Sequence, residues 1–476
     1  MPNHVSTAER PAIGYVGQSC SELRLELARR NLSTRDLTID SAMQQANSDL
    51  RVVIIPFVGE SISEAQQQLK KQLLRLLPTL LDRGTELIVL TERREDIAPA
   101  VYVKDDLIKP QDRDLVQVGS YAMYELAQAC SEMPSERLIN HNLTISSPAA
   151  MPELRESEKA LLKRAFNDFH RIDVTDLIDT GSTTRRVFRV DAFTQDGSQP
   201  EPFTAKIGLR KEIRVEIGNN ADFCLESIPF PNLPPIIERR CVSGANRSAM
   251  ISQFIYRATR LDRFIQAASA GLVIASLFDG PLRNWRSRLN PGEILLATEL
   301  QAVLPQPASK RLGQAYEAAA SIDRNVLKPS DLFSLIHSLK STKVPACHSH
   351  GDLHVKNIFV RENATDVILI DVARSSQAVV TRDPATLEVS IAFDCPTSLP
   401  GALLRDLYKP GILCRQLMGY RDGQIRAIEQ IRIQARASCN PDAYDLTAAF
   451  FLLRMARKYK NADAYLCAAE LLSSVD

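Results

Sequence analysis

Two textures divide this chain, and the seam between them limits what it can fold into. From residue 12 to residue 130, short apolar runs alternate with helical stretches. AIGYV (12–16) precedes SELRLELARR (21–30), DLTI (36–39) precedes SAMQQA (41–46), and RVVIIPFV (51–58) precedes SEAQQQLKKQLLRLLPTLLDR (63–83). ELIVLT (86–91), DLIK (106–109) and SYAMYELAQAC (120–130) complete the series. Strand–helix alternation at this pitch predicts an α/β domain over 1–130, a flavodoxin-like parallel sheet covered by helices on both faces. Ser, Pro and Asn then accumulate over 131–155, which predicts a linker.

Beyond residue 155 the period changes. A helix-like SEKALLKRAFNDF (157–169) leads into alternating LIDTGSTTRRVFRVDAF (177–193), PFTAKIGL (202–209) and SAMISQFI (248–255). That pattern predicts antiparallel strands. Residues 260–345 and 383–476 are mostly helical in pattern, interrupted by a loop-and-strand stretch. The prediction is an α+β, two-lobed domain, with a β-rich lobe over 156–258 and a helical lobe over 259–476.

Composition narrows the classes. The chain has 476 residues, room for two or three domains. Its 58 basic and 57 acidic residues leave a net charge of +1, which gives no sign of a nucleic-acid or anionic-membrane partner. Nine scattered cysteines without a CxxC pair suit a reducing compartment. The start lacks the basic-then-apolar pattern of a signal peptide, and no apolar run reaches the ~18 residues of a membrane span. A cytoplasmic protein is expected.

The densest chemistry lies in CHSHGDLH (347–354), which holds three of the seven histidines. A zinc cage would need converging ligands, but Gly351 breaks the strand that would align them, and no second ligand cluster exists. Phosphoryl transfer uses the same stretch differently. There a carboxylate orients the attacking hydroxyl, an Asn and a second Asp hold Mg²⁺, and a Lys fixes the phosphates. Asp352, Asn357 and Asp371 stand at that spacing, with apolar IFV, a turn and VILI between the last two.

HGDLHVKN followed by VILID resembles the signature of the aminoglycoside phosphotransferase and choline kinase group within the protein-kinase-like fold, over roughly 155–476. The resemblance implies ATP and Mg²⁺ as cofactors, with Asp352 as base and Asn357 and Asp371 as metal ligands. It implies a phosphate-covering hairpin at Gly181, Ser182 and Thr183, though with a single glycine. Lys206 in TAKIG would anchor the phosphates, paired with Glu216 in preference to Glu212. Gln253 to Ile255 would meet adenine through the backbone. His350 and His354 would support the loop, and Asp383 would brace it, although an Asp before Pro384 also suits a helix N-cap. The triplet after the second strand is Asp371–Val372–Ala373, with no APE motif and no long activation loop, which favours the small-molecule branch. The spacing is also similar to that of predicted bacterial kinases of the ternary-complex-associated class. The phosphoryl acceptor is not legible, and a pseudokinase scaffold and an AMP transferase stay open as alternatives.

Residues 1–130 resemble a response-regulator receiver domain through Thr91 and Lys109–Pro110. The first strand, however, is followed by no carboxylate, and the acceptor position of the third falls in an apolar run. A degenerate receiver and an unrelated flavodoxin-like domain both fit. Either implies a non-catalytic docking or regulatory module for a protein partner.

Overall fold

The structure is a computed structural model. It describes residues 12–19, 21–30, 32–44, 50–58, 61–91, 96–107, 116–132, 139–178, 185–197, 199–225, 227–230, 232–287, 290–303, 310–338, 342–361, 366–397, 399–409, 422–437, 439 and 441–473. The chain divides into two compact units, Met1–Arg214 with Pro235–Phe254, and Val215–Pro234 with Ile255–Asp476. Among the described residues no helix is long and apolar enough to cross a membrane.

The first unit begins with β1 (Ala12–Val16), α1 (Ser21–Arg29), β2 (Ser33–Leu37), α2 (Ile39–Gln44) and β3 (Leu50–Phe57). It continues with α3 (Ile62–Arg83), β4 (Glu86–Thr91), α4 (Ile97–Leu107), β5 (Val116–Gly119) and α5 (Met123–Glu132). All neighbouring strands pair in parallel, in the order β2-β1-β3-β4-β5. Side chains alternate across a strand, so β3 feeds both faces. Val53 and Ile55 pack with Leu69, Leu73 and Leu76 of α3, whereas Val52 and Ile54 pack with Leu23 and Leu27 of α1 and Leu126 of α5. Burial on both sides is why its apolar run is continuous.

One predicted strand is wrong. Asp106 and Leu107 end helix α4, and the fifth strand is Val116–Gly119. Lys109–Pro110, outside the described residues, therefore precedes the fifth strand in sequence, where a receiver places that pair after it. DLIK has only two apolar residues, Leu107 and Ile108, between charged ones, and so short a run does not distinguish the end of a helix from the start of a strand. Thr91 does end β4 and is buried. β3 ends in Pro56–Phe57 without a carboxylate.

The rest of the first unit is built on β6 (Thr144–Ser146), α6 (Glu156–Ala165), β7 (Arg171–Ile178), β8 (Arg186–Phe193) and β9 (Glu201–Leu209). α7 (Arg210–Asn219) crosses into the second unit; β10 (Val242–Ser243) and β11 (Arg247–Gln253) close the sheet in the order β10-β11-β9-β8-β7-β6. The stretch read as a linker is thus partly folded, because Thr144–Ser146 pairs with Arg171–Asp173. Within this unit the end of α3 meets the antiparallel sheet. Asp82 Oδ1 accepts from the Ala245 N–H at 2.8 Å, and Arg164 donates to the carbonyls of Asp82 (3.2 Å) and Ser243 (2.9 Å).

The second unit holds two small antiparallel sheets among helices. One joins β12 (Ala258–Arg260), β15 (Ile358–Arg361) and β16 (Val367–Leu369); the other joins β13 (Asn290–Leu295), β14 (Lys343–Ser349) and β17 (Ser376–Val379). Its apolar core gathers the helices Ala270–Asp279, Arg382–Phe393, Asp422–Arg436, Pro441–Tyr459 and Ala462–Ser473 around β14 to β17. Glu388 is fully buried within it. Arg432 meets its carboxylate in a fork at 2.8–3.2 Å, and the Tyr444 hydroxyl donates to it at 2.5 Å. Burying a carboxylate costs free energy unless such partners surround it.

Candidate active site

Strand β14 carries CHS up to the loop, and Gly351 makes the turn. Its φ is +76°, and a Cβ there would stand 2.1 Å from the Arg374 carbonyl oxygen. Only glycine meets both conditions. Asp383, in the first turn of the helix Arg382–Phe393, then grips the backbone. Its carboxylate accepts from the N–H of His350 (2.7 Å), the N–H of Gly351 (3.1 Å) and the Ser349 hydroxyl (2.8 Å). The helix N-cap is Thr381; Asp383 is the second residue of the helix, and its side chain turns to this loop. Farther along, the Ser390 hydroxyl accepts from the Val355 N–H at 3.1 Å.

The three histidines of the loop have separate partners. His350 Nε2 lies 2.9 Å from the Ile370 carbonyl, His354 Nδ1 accepts from the Lys356 N–H at 3.2 Å, and the His348 ring stands edge-on to Phe223. Burial holds the His354 imidazole below its ordinary pKa, which keeps Nδ1 an acceptor. Burial also pushes the Cys347 thiol up to about 12, so it is not a ready thiolate.

After a 3₁₀ turn at Val355–Asn357, β15 runs out and β16 returns with Ile358 opposite Leu369. That register sets Asn357 against Ile370, and the Asn357 carbonyl accepts from the Ile370 N–H at 3.1 Å. Asp371 follows at once, in the left-handed region at φ 62°, ψ 56°. Asp tolerates that conformation better than most residues. The Asn357 Nδ2 donates to the Asp352 carbonyl at 3.0 Å. Asp352, Asn357 and Asp371 are therefore joined through one loop and one hairpin.

Asn357 and Asp371 suit Mg²⁺ by their chemistry. Spending Nδ2 on Asp352 leaves the Asn amide its oxygen as the acceptor, and Asp371 adds a carboxylate. Mg²⁺ takes one or two such hard oxygens and completes its shell with water and phosphate.

Three residues that the sequence reading passed over complete the neighbourhood. Asn219, at the end of α7, donates to the carbonyls of Ala373 (2.9 Å) and Val372 (3.5 Å), just after Asp371. Arg374 Nη1 lies 3.4 Å from one Asp352 carboxylate oxygen and Arg454 Nη2 3.5 Å from the other. Arg374 is three residues beyond Asp371 and could have been noticed there. Arg454 comes from the helix Pro441–Tyr459 and no local pattern marks it.

The remaining predicted residues fall on other elements of the chain. Lys206 is on β9 in the first unit, buried, with Phe203, Ala205 and Ile207 in the sheet's apolar core on the opposite face. Glu216 is buried on the part of α7 that belongs to the second unit. Glu212 instead pairs with Arg185 at 2.8 Å. Gly181, Ser182 and Thr183 lie outside the described residues. Gln253 ends β11, and its N–H donates to the Pro235 carbonyl at 3.1 Å, so that group is not available to a base. Ile255 begins the next segment of the second unit.

No protein-family model matches the chain, and no curated protein matches it. Solved structures do. A type VIII aminoglycoside-3'-phosphotransferase is 16% identical, covering 63% of this chain and 93% of its own, at a TM-score of 0.30. An ethanolamine kinase of Plasmodium vivax is 13% identical, covering 64% and 81%, at 0.30. A type I macrolide 2'-phosphotransferase is 13% identical, covering 68% and 100%, at 0.33. At these identities and TM-scores the likeness carries no argument of its own, and the chemistry has to rest on the loop itself.

Proposed function

We propose that this protein is a phosphotransferase that moves the γ-phosphoryl group of ATP to a hydroxyl. The observation that carries the reading is the single hydrogen-bonded constellation of Asp352, Asn357 and Asp371. The Asn357 amide is tied to the Asp352 carbonyl, and the Asn357 carbonyl to the residue before Asp371.

In this reading Asp352 orients the acceptor hydroxyl and takes its proton. The hydroxyl oxygen bonds to the γ-phosphorus as the bond to the β-phosphate oxygen breaks, and ADP leaves. Mg²⁺ on Asn357 and Asp371 would neutralise phosphate charge. Lys206 would anchor the α- and β-phosphates, Gly181, Ser182 and Thr183 would cover them, and adenine would meet the backbone of Gln253 to Ile255 through a group other than the Gln253 N–H. Asp383, His350 and His354 hold the loop in place.

The N-terminal domain is read as a non-catalytic docking or regulatory module. Its strand order, 2-1-3-4-5, is that of flavodoxin-like domains, receivers among them. Without the receiver carboxylates, the bond from Asp82 to Ala245 offers it a physical connection to the antiparallel sheet. A cytoplasmic signalling or conflict-system component suits a kinase with such a domain.

The test uses ATP labelled at the α or the γ phosphate, with wild type and Asp371→Ala. Release of ADP with γ-label on an acceptor, lost in the variant, is the expected result. α-Label on an acceptor would replace phosphoryl by AMP transfer. Nucleotide binding with neither product would make the protein a pseudokinase.

A further inference from the structure

We propose that the acceptor is an anionic hydroxyl compound, a hydroxy acid or a phosphorylated alcohol, whose carboxylate or phosphate is held by Arg374 and Arg454. The inference names the substrate class of the site above and rests on that reading.

Asp352 lies between two guanidinium groups that reach it from unrelated parts of the chain. Arg374 Nη1 approaches one carboxylate oxygen at 3.4 Å and Arg454 Nη2 the other at 3.5 Å. Both contacts are longer than the roughly 2.7–2.9 Å of a charge-assisted hydrogen bond. Each guanidinium carries five N–H donors, so one long contact leaves most of them unspent. Among the described residues neither arginine has a second carboxylate partner. Arg374 keeps 59% of its side chain exposed and Arg454 29%, against 23% for Asp352. The donors thus border open solvent beside the carboxylate that would meet the acceptor hydroxyl.

The surroundings reinforce the sign. From Leu446 to Asn461 the chain carries Arg454, Arg457, Lys458 and Lys460 and no acidic residue. Arg454 comes from the middle of a long helix whose inner side is buried, so its charge is held at the site. A cationic acceptor approaching Asp352 would meet two like charges beside the carboxylate that attracts it. A carboxylate or phosphate matches the planar donor fork of arginine, and its arrival would replace long contacts by short ones. The reactive hydroxyl would then have to lie one or two bonds from the anionic group, because the same arginines touch the base.

The experiment uses the full chain with Mg²⁺ and γ-labelled ATP against four probes: D-glycerate, glycerol 3-phosphate, glycerol and choline. Glycerate and glycerol 3-phosphate separate the carboxylate from the phosphate form of the ligand. The expected result is kcat/KM at least about tenfold higher for one of the anions than for glycerol or choline. Arg454→Gln should erase most of that preference through the KM of the anion, with the KM of ATP little changed. Equal or better use of glycerol or choline overturns the proposal. So does an anion preference that survives in both Arg454→Gln and Arg374→Gln, or a loss expressed in the KM of ATP. Calorimetric titration with ATP and with each anion covers the case of no transfer. ATP binding without anion binding overturns this proposal alone, and failure to bind ATP removes the phosphotransferase reading and this one with it.

Discussion

The Asp383 carboxylate accepts a 2.7 Å hydrogen bond from the backbone N–H of His350, 33 residues earlier in the chain. With the bonds from Gly351 and Ser349, it fixes the entry to the loop that carries Asp352. Asp383→Asn turns an NH₂ group toward donors and leaves at least one buried N–H unsatisfied, at a cost of about 1–3 kcal/mol. Urea denaturation should register that loss. Phosphoryl transfer should fall more than nucleotide binding does, whereas Ser349→Ala, which removes one of three bonds, should cost about 1 kcal/mol.

Gly351→Ala meets two obstacles at once, the φ of +76° and the Arg374 carbonyl. The left-handed conformation alone costs about 1–2 kcal/mol for a residue with a Cβ. The loop must shift to admit the methyl group, and an error of about 1 Å at the base lowers turnover by about 10²-fold. Steady-state kinetics should show the loss in kcat, while ATP binding measured by calorimetry persists.

His354 supplies a pH dependence. Its folded pKa is depressed by burial, below the roughly 6.5 of an unfolded chain. The group therefore contributes stability above pH ~6.5, and that contribution is lost as pH falls through the folded value, since the unfolded chain takes up the proton first. Protonation also removes the Nδ1 acceptor that holds the Lys356 N–H. Denaturation midpoints measured below pH 6.5 should fall in wild type and fall less in His354→Gln.

Tyr444→Phe removes the hydroxyl from the buried Glu388 while the Arg432 fork remains. A hydrogen bond to a charged group contributes about 1.5–3 kcal/mol, and the thermal midpoint should drop accordingly. Arg432→Met should be worse, about 3–5 kcal/mol, because it strands the carboxylate.

Gly244→Ala tests the junction of α3 with the antiparallel sheet. Its Cβ would stand 2.5 Å from Asp82 Oδ1, the atom that accepts from Ala245. Displacing Asp82 should cost about 1–3 kcal/mol and lower the urea denaturation midpoint, with Asp82→Ala behaving similarly.

Much of the fold was legible because its signals are local. The alternation of β3 and α3 shows in the chain itself, and so does the hairpin of β15 and β16. The fifth parallel strand is not legible because the two apolar residues of DLIK suit the end of a helix as well as the start of a strand. Thr144–Ser146 reads as linker because three residues among Ser and Asn carry no period of their own; their strand exists only by pairing with β7.

At the site the same division holds. Asp352, Asn357 and Asp371 stand in one contiguous stretch, so residue type and spacing alone brought them out, with Gly351 as the turn between strand and loop. Their hydrogen bonds could not be read that way. That Asp383 braces a loop instead of capping its own helix, that Asn219 holds the segment after Asp371, and that Arg454 faces Asp352 across 102 residues of chain were decided by tertiary packing. The reason is physical. Backbone periodicity and turn chemistry act over a few residues and are written in sequence order, whereas the direction of a long charged side chain is set by which helix face the buried core turns toward it.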